Sequence, residues 1–294
     1  MQNETASGTE ILWEAKSRTY YFRLAAFGAA CFIIILYLTY SPVINRDFYN
    51  VKVLFKPVKT NEFNPNWFGR NAEEVFFKNK TGKLLHGIYL PEENSNHVIL
   101  VHHGQYGNNN YHLGMCGFLL QDNDALFIYD YAGFGKSEGT PTIAGMADDA
   151  RSAYNCLVNT LKVAPAKIIH YGSSLGSGPA TLVASESPCA GLILFSPYTS
   201  LKASARRIFP FMNIYPDFLL TDYDFDNPAR VKLFHKPILI VHGTDDTTIE
   251  VGHGEQIYRA ANEPKQFEKI PKQGHSFVID DQLKTKILKF IDSV

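Results

Sequence analysis

The pentapeptide GSSLG at residues 172–176 is the feature that most constrains the fold of this 294-residue chain. It follows the apolar run 168–171 (IIHY) and leads into a stretch, 175–185, that is predicted to be helical. A G-x-S-x-G sequence between a strand and a helix is typical of a sharp turn that exposes the serine hydroxyl. Glycines two positions before and after the serine let the helix pass close to the strand. Ser174 is therefore a candidate nucleophile, although a glycine-rich turn without chemistry has the same pattern.

Two later segments contain the acid and the base that a serine nucleophile needs. Residues 237–246 (PILIVHGTDD) are predicted to form a buried parallel strand whose carboxyl end carries Asp245 and Asp246. His275 comes after a further strand, predicted over 266–270, and before the closing helix. The order serine, acid, histidine, with each residue at a strand end, is one in which a Ser-His-Asp triad assembles. Other histidines at strand ends, such as His242, come too early in this order.

Further motifs occur in a consistent order along the chain. They are residues 75–91, His103-Gly104, 129–139 (YDYAGFGKSEG), Ser196-Pro197, 242–246 (HGTDD) and Gly274-His275. With these motifs the chain resembles the α/β-hydrolase superfamily from about residue 72 to the C-terminus. Within the superfamily it resembles the membrane-anchored group of ABHD13-like, ABHD17-like and Bem46-like serine hydrolases. The resemblance implies that Asp246 is the acid, because the acid is the second residue after the threonine in the H-G-T-x-D pattern, and Asp245 stays the alternative.

An ester hydrolase also needs two N–H donors to stabilise the oxyanion of its tetrahedral intermediate. The amide of Leu175, directly after the serine, is expected to be one of them. Resemblance to the H-G-x turn of the family implies that the amide of Gln105 is the other. Since both donors belong to the backbone, the assignment depends on spacing and not on side-chain chemistry.

No metal or nucleotide cofactor is expected. The chain has no H-E-x-x-H or C-x-x-C motif, and residues 135–137 (GKS) lack the earlier glycine of a Walker A loop. The spacing of glycines over 172–178 differs from that of a dinucleotide-binding turn. A formal net charge of −1 gives no reason to expect a nucleic-acid partner. Of four cysteines, Cys31 lies in an apolar run and the others have no metal spacing, so free thiols are predicted.

The alternation of strands and helices predicts a mostly parallel eight-stranded sheet covered on both faces. The strands are predicted over 74–78, 83–90, 98–102, 125–129, 167–171, 191–195, 238–241 and 266–270. The helices are predicted over 111–121, 143–161, 175–185, 252–261 and 282–291. Residues 198–236 interrupt the alternation between strands six and seven and are rich in aromatic residues. This insertion is either a short lid over an acyl-binding cleft or an ordinary packed connection.

The N-terminal region has no charged residue between Arg23 and Arg46. About 20 apolar residues suffice to cross a bilayer, so a transmembrane anchor is predicted over 24–44, with a tail over 1–23 and a linker over 45–71. A cleaved signal peptide is the alternative, but no A-x-A-like site follows the run. Resemblance to the single-span family members implies a cytoplasmic N-terminus and a hydrolase domain, 72–294, on the far side. Asn79 would there be a glycosylation acceptor in a eukaryotic cell.

These patterns together predict a single-pass, membrane-anchored serine hydrolase. It is expected to cleave ester or thioester bonds of small lipid-like or acylated substrates through an acyl-enzyme. One alternative is a serine peptidase resembling the catalytic domain of prolyl oligopeptidase. Another is a membrane-tethered interaction module that keeps the fold without catalysis. The sequence gives no expectation for the oligomeric state.

Overall fold

An eight-stranded sheet organises the larger of two units, 1–46 and 47–294, into which the chain divides. A computed structural model describes residues 8–41, 54–60, 62–120, 123–220 and 225–294. The strands of the sheet are β1 (Glu73–Lys78), β2 (Leu84–Leu90), β3 (His97–His102), β4 (Asp124–Tyr129), β5 (Ile168–Ser173), β6 (Gly191–Phe195), β7 (Ile238–Gly243) and β8 (Lys265–Ile270). All eight predicted strands are present, with ends that differ by at most two residues.

The strand order across the sheet is β8-β7-β6-β5-β3-β4-β2-β1. Strands β3 to β8 are parallel, whereas β2 runs antiparallel to both β1 and β4. Every residue of β4, β6 and β7 is buried, which explains why these strands are continuous apolar runs without alternation. The mostly parallel sheet predicted from the sequence is therefore confirmed, and its carboxyl ends meet along one edge.

Helices cover both faces of this sheet. They are α2 (Asn109–Cys116), α3 (Ile143–Asn155), α4 (Ser177–Glu186), α5 (Leu201–Ile208), α6 (Asp217–Leu220), α7 (Asn227–Val231), α8 (Val251–Ala260) and α9 (Asp281–Asp292). Buried side chains of α3, α4 and α8 join one apolar core, and those of α2 and α9 join a second core. Neighbouring residues of β3 point to opposite cores, since Leu100 lies in the first and Ile99 in the second. The sheet thus lies between two helical layers.

The smaller unit contains one long helix, α1 (Gly8–Thr39). Its apolar part, Lys16–Thr39, is long enough to cross a membrane, a property that signal sequences near an N-terminus share. The helix begins inside the predicted tail, so that tail is helical from Gly8 onward. It also ends before residue 44, and residues 42–44 of the predicted span lie outside the described residues.

Residues 54–60 and 62–71, which belong to the predicted linker, contain two paired backbone segments. Lys56–Pro57 pairs with Tyr106–Gly107 in parallel, and Asn66–Trp67 pairs with Arg70–Asn71 in a hairpin. Phe55 is buried in the first core. Apolar side chains without a period of two or 3.6 made this contact invisible to pattern analysis. Residues 45–53 lie outside the described part of the chain.

The insertion at 198–236 consists of α5, a 3₁₀ turn at Pro210–Ile214, α6 and α7, with 221–224 not described. Its apolar residues divide between two environments. Met212 and Tyr215 are buried, whereas Phe218 is 77% exposed. The insertion therefore packs against the domain and also presents apolar surface, and its role as a lid stays a prediction.

Asn79 has a structural role that argues against glycosylation. Its buried amide nitrogen donates to Asp149 Oδ1 at 2.8 Å, and its oxygen accepts the backbone N–H of Lys83 at 3.0 Å. A glycan on this nitrogen would require the amide to leave its partners and the interior. The sequon is therefore incompatible with this packing.

Candidate active site

Ser174 lies in the tight turn between β5 and α4. The backbone makes one 3₁₀ turn at Ser174–Gly176, and Ser174 has a φ of 52°, which costs energy for a residue other than glycine. A Cβ at Gly172 would lie 2.6 Å from the Cβ of Ala180, and one at Gly176 would lie 1.9 Å from the carbonyl oxygen of His102. Both positions therefore need glycine, for the close approach that the pentapeptide predicts.

The structure brings Ser174, His275 and Asp246 together at the carboxyl ends of β5, β8 and β7. His275 Nε2 is 2.8 Å from Ser174 Oγ, and His275 Nδ1 is 2.7 Å from Asp246 Oδ2. A carboxylate can only accept, so Nδ1 carries the proton and Nε2 offers its lone pair to the serine hydroxyl. The arrangement can deprotonate Ser174 as it attacks an electrophile.

Asp246 is held on both of its carboxylate oxygens. Oδ1 accepts the backbone N–H groups of Thr248 at 2.8 Å and Ile249 at 2.9 Å, while Oδ2 faces His275 and lies 3.3 Å from His242 Nε2. Burial opposes ionisation of this carboxyl, but hydrogen bonds from His242, His275 and Ile249 outweigh it and hold the pKa of Asp246 well below its usual range. The acid is thus ionised and fixed in one orientation.

Asp245, the alternative acid, faces away from this group. Its side chain is exposed, and its Oδ1 accepts the hydroxyl of Thr244 at 2.8 Å. Its backbone N–H donates to the carbonyl of Gln273 at 2.9 Å. The geometry therefore favours Asp246 over Asp245 as the partner of His275.

Gln105 and Leu175 flank Ser174 from two loops. A Cβ at Gly104 would lie 3.8 Å from the Cβ of Ser174, so the loop after β3 passes beside the candidate nucleophile. Within the described parts of the chain, the N–H of Gln105 donates to no acceptor. Leu175 follows Ser174 inside the 3₁₀ turn. The role of the two amides as oxyanion donors stays a prediction.

Two residues that sequence reasoning did not assign to the site contact its members. His242 is fully buried, and its Nε2 lies 2.7 Å from the carbonyl oxygen of Ile249 in addition to its approach to Asp246. The hydroxyl of Ser196 donates to the carbonyl of His275 at 3.3 Å, and Ser196 has a φ of 44°. Both residues stood in the family motifs, HGTDD and Ser-Pro, and that was the only signal that could have found them.

No cluster suited to a metal ion occurs among the residues that the structure describes. The buried imidazoles of His102, His103 and His170 are held neutral. Burial, together with the neighbouring His112, lowers the pKa of His103 well below its usual range, and burial lowers the pKa of His170 to about 3. His102 contacts the hydroxyl of Tyr129 at 2.8 Å and His170 Nδ1 at 3.0 Å. These imidazoles pack and orient the ends of β3 and β5.

Comparison with known proteins identifies the family of this chain. A family model described as "Serine aminopeptidase, S33" matches residues 93–227. The protein YfhR of Salmonella typhimurium is 31% identical over 264 residues, which cover 83% of this chain and 84% of that protein. Alpha/beta hydrolase domain-containing protein 17C of Xenopus tropicalis is 33% identical over 198 residues, 64% of this chain and 59% of that protein. The chain belongs to the α/β-hydrolase superfamily.

The fold of this α/β-hydrolase is also that of solved esterases. The Pyrococcus furiosus esterase Pf2001 superimposes with a TM-score of 0.68 at 17% identity, covering 82% of this chain and 98% of that chain. The predicted superfamily, its ABHD group and the predicted fold are confirmed. As a member of this superfamily the protein is a hydrolase.

Proposed function

We propose that this α/β-hydrolase is a serine hydrolase that cleaves carboxylic ester or thioester bonds through an acyl-enzyme. The observation that carries the proposal is the continuous hydrogen-bond chain from Asp246 through His275 to Ser174. Each of the three residues follows a different parallel strand, and each distance is that of a direct hydrogen bond. Neither a metal nor a cofactor enters the proposed reaction.

The reaction begins when Ser174 Oγ bonds to the substrate carbonyl carbon and its proton passes to His275 Nε2. The electron pair of the C=O bond moves to the oxygen, which the amides of Gln105 and Leu175 stabilise. Asp246 stabilises the imidazolium that forms. The intermediate then expels an alcohol or thiol, which takes the proton from His275, and water repeats the sequence to release the acid.

The proposed substrates are lipid-like or acylated molecules met at a membrane. Support comes from the apolar helix Lys16–Thr39, which we propose is an uncleaved single-span anchor, and from exposed apolar side chains such as Phe218 in the insertion. A solved structural neighbour is named an esterase. We propose a cytoplasmic N-terminus with the hydrolase unit on the far side, in line with the family resemblance.

A peptidase is the second candidate, because the matching family model is described as a serine aminopeptidase. The same three side chains would then attack an amide, and His275 would protonate a leaving amine. A non-catalytic module is not proposed, since the chain belongs to a hydrolase superfamily and the hydrogen-bond chain at Ser174 is complete.

A matched substrate panel separates these candidates. An ester, a thioester and an anilide with the same acyl group are offered to the full chain, to Ser174→Ala and to the control Ser173→Ala. We expect ester and thioester turnover that Ser174→Ala abolishes and Ser173→Ala keeps, with the anilide at least about 100-fold slower. Faster turnover of the anilide than of the ester would favour the peptidase, and equal turnover by Ser174→Ala would refute the proposed nucleophile.

Membrane topology is tested on the full chain in sealed vesicles. The intact mass of the protein and protection from added protease are measured together. The proposed anchor predicts an uncleaved N-terminus and a hydrolase unit that protease reaches only after detergent. An intact mass that lacks the apolar run would show that the run is a cleaved signal peptide. Digestion of the hydrolase unit without detergent would show the opposite orientation.

A further inference from the structure

Residues 54–60, here named the strap, run alongside the loop that carries Gln105. The backbone N–H of Lys56 donates to the carbonyl of Gln105 at 2.8 Å, and the N–H of Val58 donates to the carbonyl of Gly107 at 2.9 Å. The two segments pair as a short parallel ladder. The strap is therefore bonded directly to the predicted oxyanion loop, residues 104–107.

Each of the four carbonyl oxygens of the oxyanion loop has a hydrogen-bond partner in another residue. The strap holds those of Gln105 and Gly107, while His103 Nδ1 contacts the Gly104 oxygen at 2.7 Å and His112 Nε2 contacts the Tyr106 oxygen at 2.6 Å. Burial lowers the pKa of His112 to about 4, so its imidazole is neutral and donates this bond from Nε2 at neutral pH. The Gln105 N–H shares its peptide with the Gly104 carbonyl, so the His103 contact restrains that peptide, and the strap bonds restrain the peptides that follow it.

The strap is itself attached to the domain at two further points. Phe55 is 1% exposed and packs edge-to-face on Phe134, with ring centroids 6.1 Å apart. The carbonyl of Val58 accepts both the side-chain amide of Asn108 at 3.1 Å and the backbone N–H of Gly135 at 3.2 Å. The strap thus joins the loop after β3 to the loop after β4 and cannot shift independently of either.

The Lys59 ammonium adds a third attachment, donating to the carbonyl of Ser137 at 2.8 Å. Its aliphatic chain spans the gap to the loop after β4, where Ser137 also donates its hydroxyl to the carbonyl of Asp130 at 2.8 Å. The strap therefore has a buried aromatic residue at its start, paired backbone in its middle and a charged hydrogen bond at its end. The strap is therefore an ordered segment that packs against the domain.

We propose that the strap is a positioning element of the active site, in which the N–H groups of Lys56 and Val58 hold the Gln105 amide where the oxyanion forms. This inference rests on the proposed serine-hydrolase function. Stabilisation of an oxyanion depends on donors that are fixed before the reaction begins. Loss of a strap bond lets the loop relax and lowers transition-state stabilisation without removing any group that contacts the substrate.

Substitution of Val58 tests the strap within the full chain. Val58→Pro removes the N–H that binds Gly107, and the extended backbone of the paired Pro57 is compatible with a following proline. Val58→Ala keeps the N–H and deletes only a side chain that is 41% exposed. The readouts are kcat and KM for an ester, the inhibition constant of a trifluoromethyl ketone that mimics the tetrahedral intermediate, and the thermal unfolding midpoint.

We expect Val58→Pro to lower kcat about tenfold, part of the loss that follows removal of a whole oxyanion donor, with KM within about twofold of wild type. The inhibition constant of the ketone should rise by the same factor, and Val58→Ala should match wild type in all three. Phe55→Leu serves as the stability control, because it loosens the strap's packing but keeps both donors. It should lower the unfolding midpoint and leave the ratio of ketone affinity to substrate KM unchanged.

The outcomes separate this inference from the proposed function. If Ser174→Ala abolishes turnover but Val58→Pro equals Val58→Ala, the strap proposal is wrong and the hydrolase proposal stands. A loss in Val58→Pro that appears in KM, or that follows the unfolding midpoint as in Phe55→Leu, also overturns the strap proposal. If Ser174→Ala turns over esters as wild type does, the proposed function fails and the strap proposal fails with it.

Discussion

Replacement of Asp246 by asparagine is the perturbation whose effect the structure defines best. The Asp246 carboxylate accepts from Thr248 and Ile249 on Oδ1 and from His275 on Oδ2. An asparagine has only one acceptor oxygen. If that oxygen stays on the two backbone N–H groups, the NH₂ group faces His275 Nδ1, which must then become an acceptor.

That change moves the imidazole proton to Nε2, the atom that has to accept the proton of Ser174. In serine proteases, replacement of the triad aspartate by asparagine lowers kcat by about 10⁴, which is about 5.5 kcal/mol of barrier. We expect a loss of about 10³ to 10⁴ in kcat for Asp246→Asn, with little change in KM. Asp245→Asn should stay within about twofold of wild type, since Asp245 is exposed and contacts Thr244.

The assay is steady-state ester hydrolysis by the two variants, purified in parallel and compared by circular dichroism and unfolding midpoint. Protonation of Asp246 should not contribute to the acid side of the wild-type profile of kcat against pH, because its lowered pKa keeps that carboxyl ionised. An Asp245→Asn variant that loses as much activity as Asp246→Asn would refute the assignment of the acid. So would a folded Asp246→Asn variant with wild-type kcat.

Substitutions at three further positions test the tight turn, the role of His242 and the buried carboxyl of Asp149. A Cβ at Gly176 would collide with the carbonyl of His102, so Gly176→Ala should lower the unfolding free energy by about 2–3 kcal/mol in urea titration; wild-type stability would contradict the close approach. His242→Phe removes an N–H that faces both Ile249 and Asp246, so it should lower kcat about tenfold at constant KM. His242→Gln should retain more activity. Equal kinetics for wild type and His242→Phe would exclude a positioning role. Burial raises the pKa of Asp149 to about 6 from 3.8, so its contribution to stability is full below pH 3.8 and is lost as pH rises to about 6. The unfolding free energy of wild type relative to Asp149→Asn should therefore fall by about 3 kcal/mol across that window, and a constant difference would contradict the shift.

The sheet and the proximity of three side chains could be predicted, because the strands have local sequence patterns and the topology follows from their order. The central strands are short apolar runs, and parallel strands in a right-handed α/β arrangement place their carboxyl ends on one edge. Ser174, Asp246 and His275 each follow a parallel strand, so their proximity is a consequence of topology. The choice between Asp245 and Asp246 was different, because it depends on the path of a loop and needed the family pattern.

The strap could not be predicted, because its contacts leave no periodic pattern. Lys56 and Val58 act through backbone N–H groups, which every residue except proline has, and their partners lie about 50 residues further along the chain. His242 was set aside for a related reason. Its position at the end of β7 fits a packed core histidine as well as one that faces the acid, and only the fold of the 246–249 loop distinguishes the two.

Covalent labelling tests whether Ser174 is an activated nucleophile. The full chain is treated with a fluorophosphonate, which modifies serines activated by a neighbouring base, and the modified peptide is located by mass spectrometry. We expect one adduct, on Ser174. It should form at the wild-type rate in Ser173→Ala and much more slowly in Asp246→Asn, and it should be absent in Ser174→Ala and in unfolded protein. An adduct on another residue, or equal labelling of Ser174→Ala, would contradict this expectation.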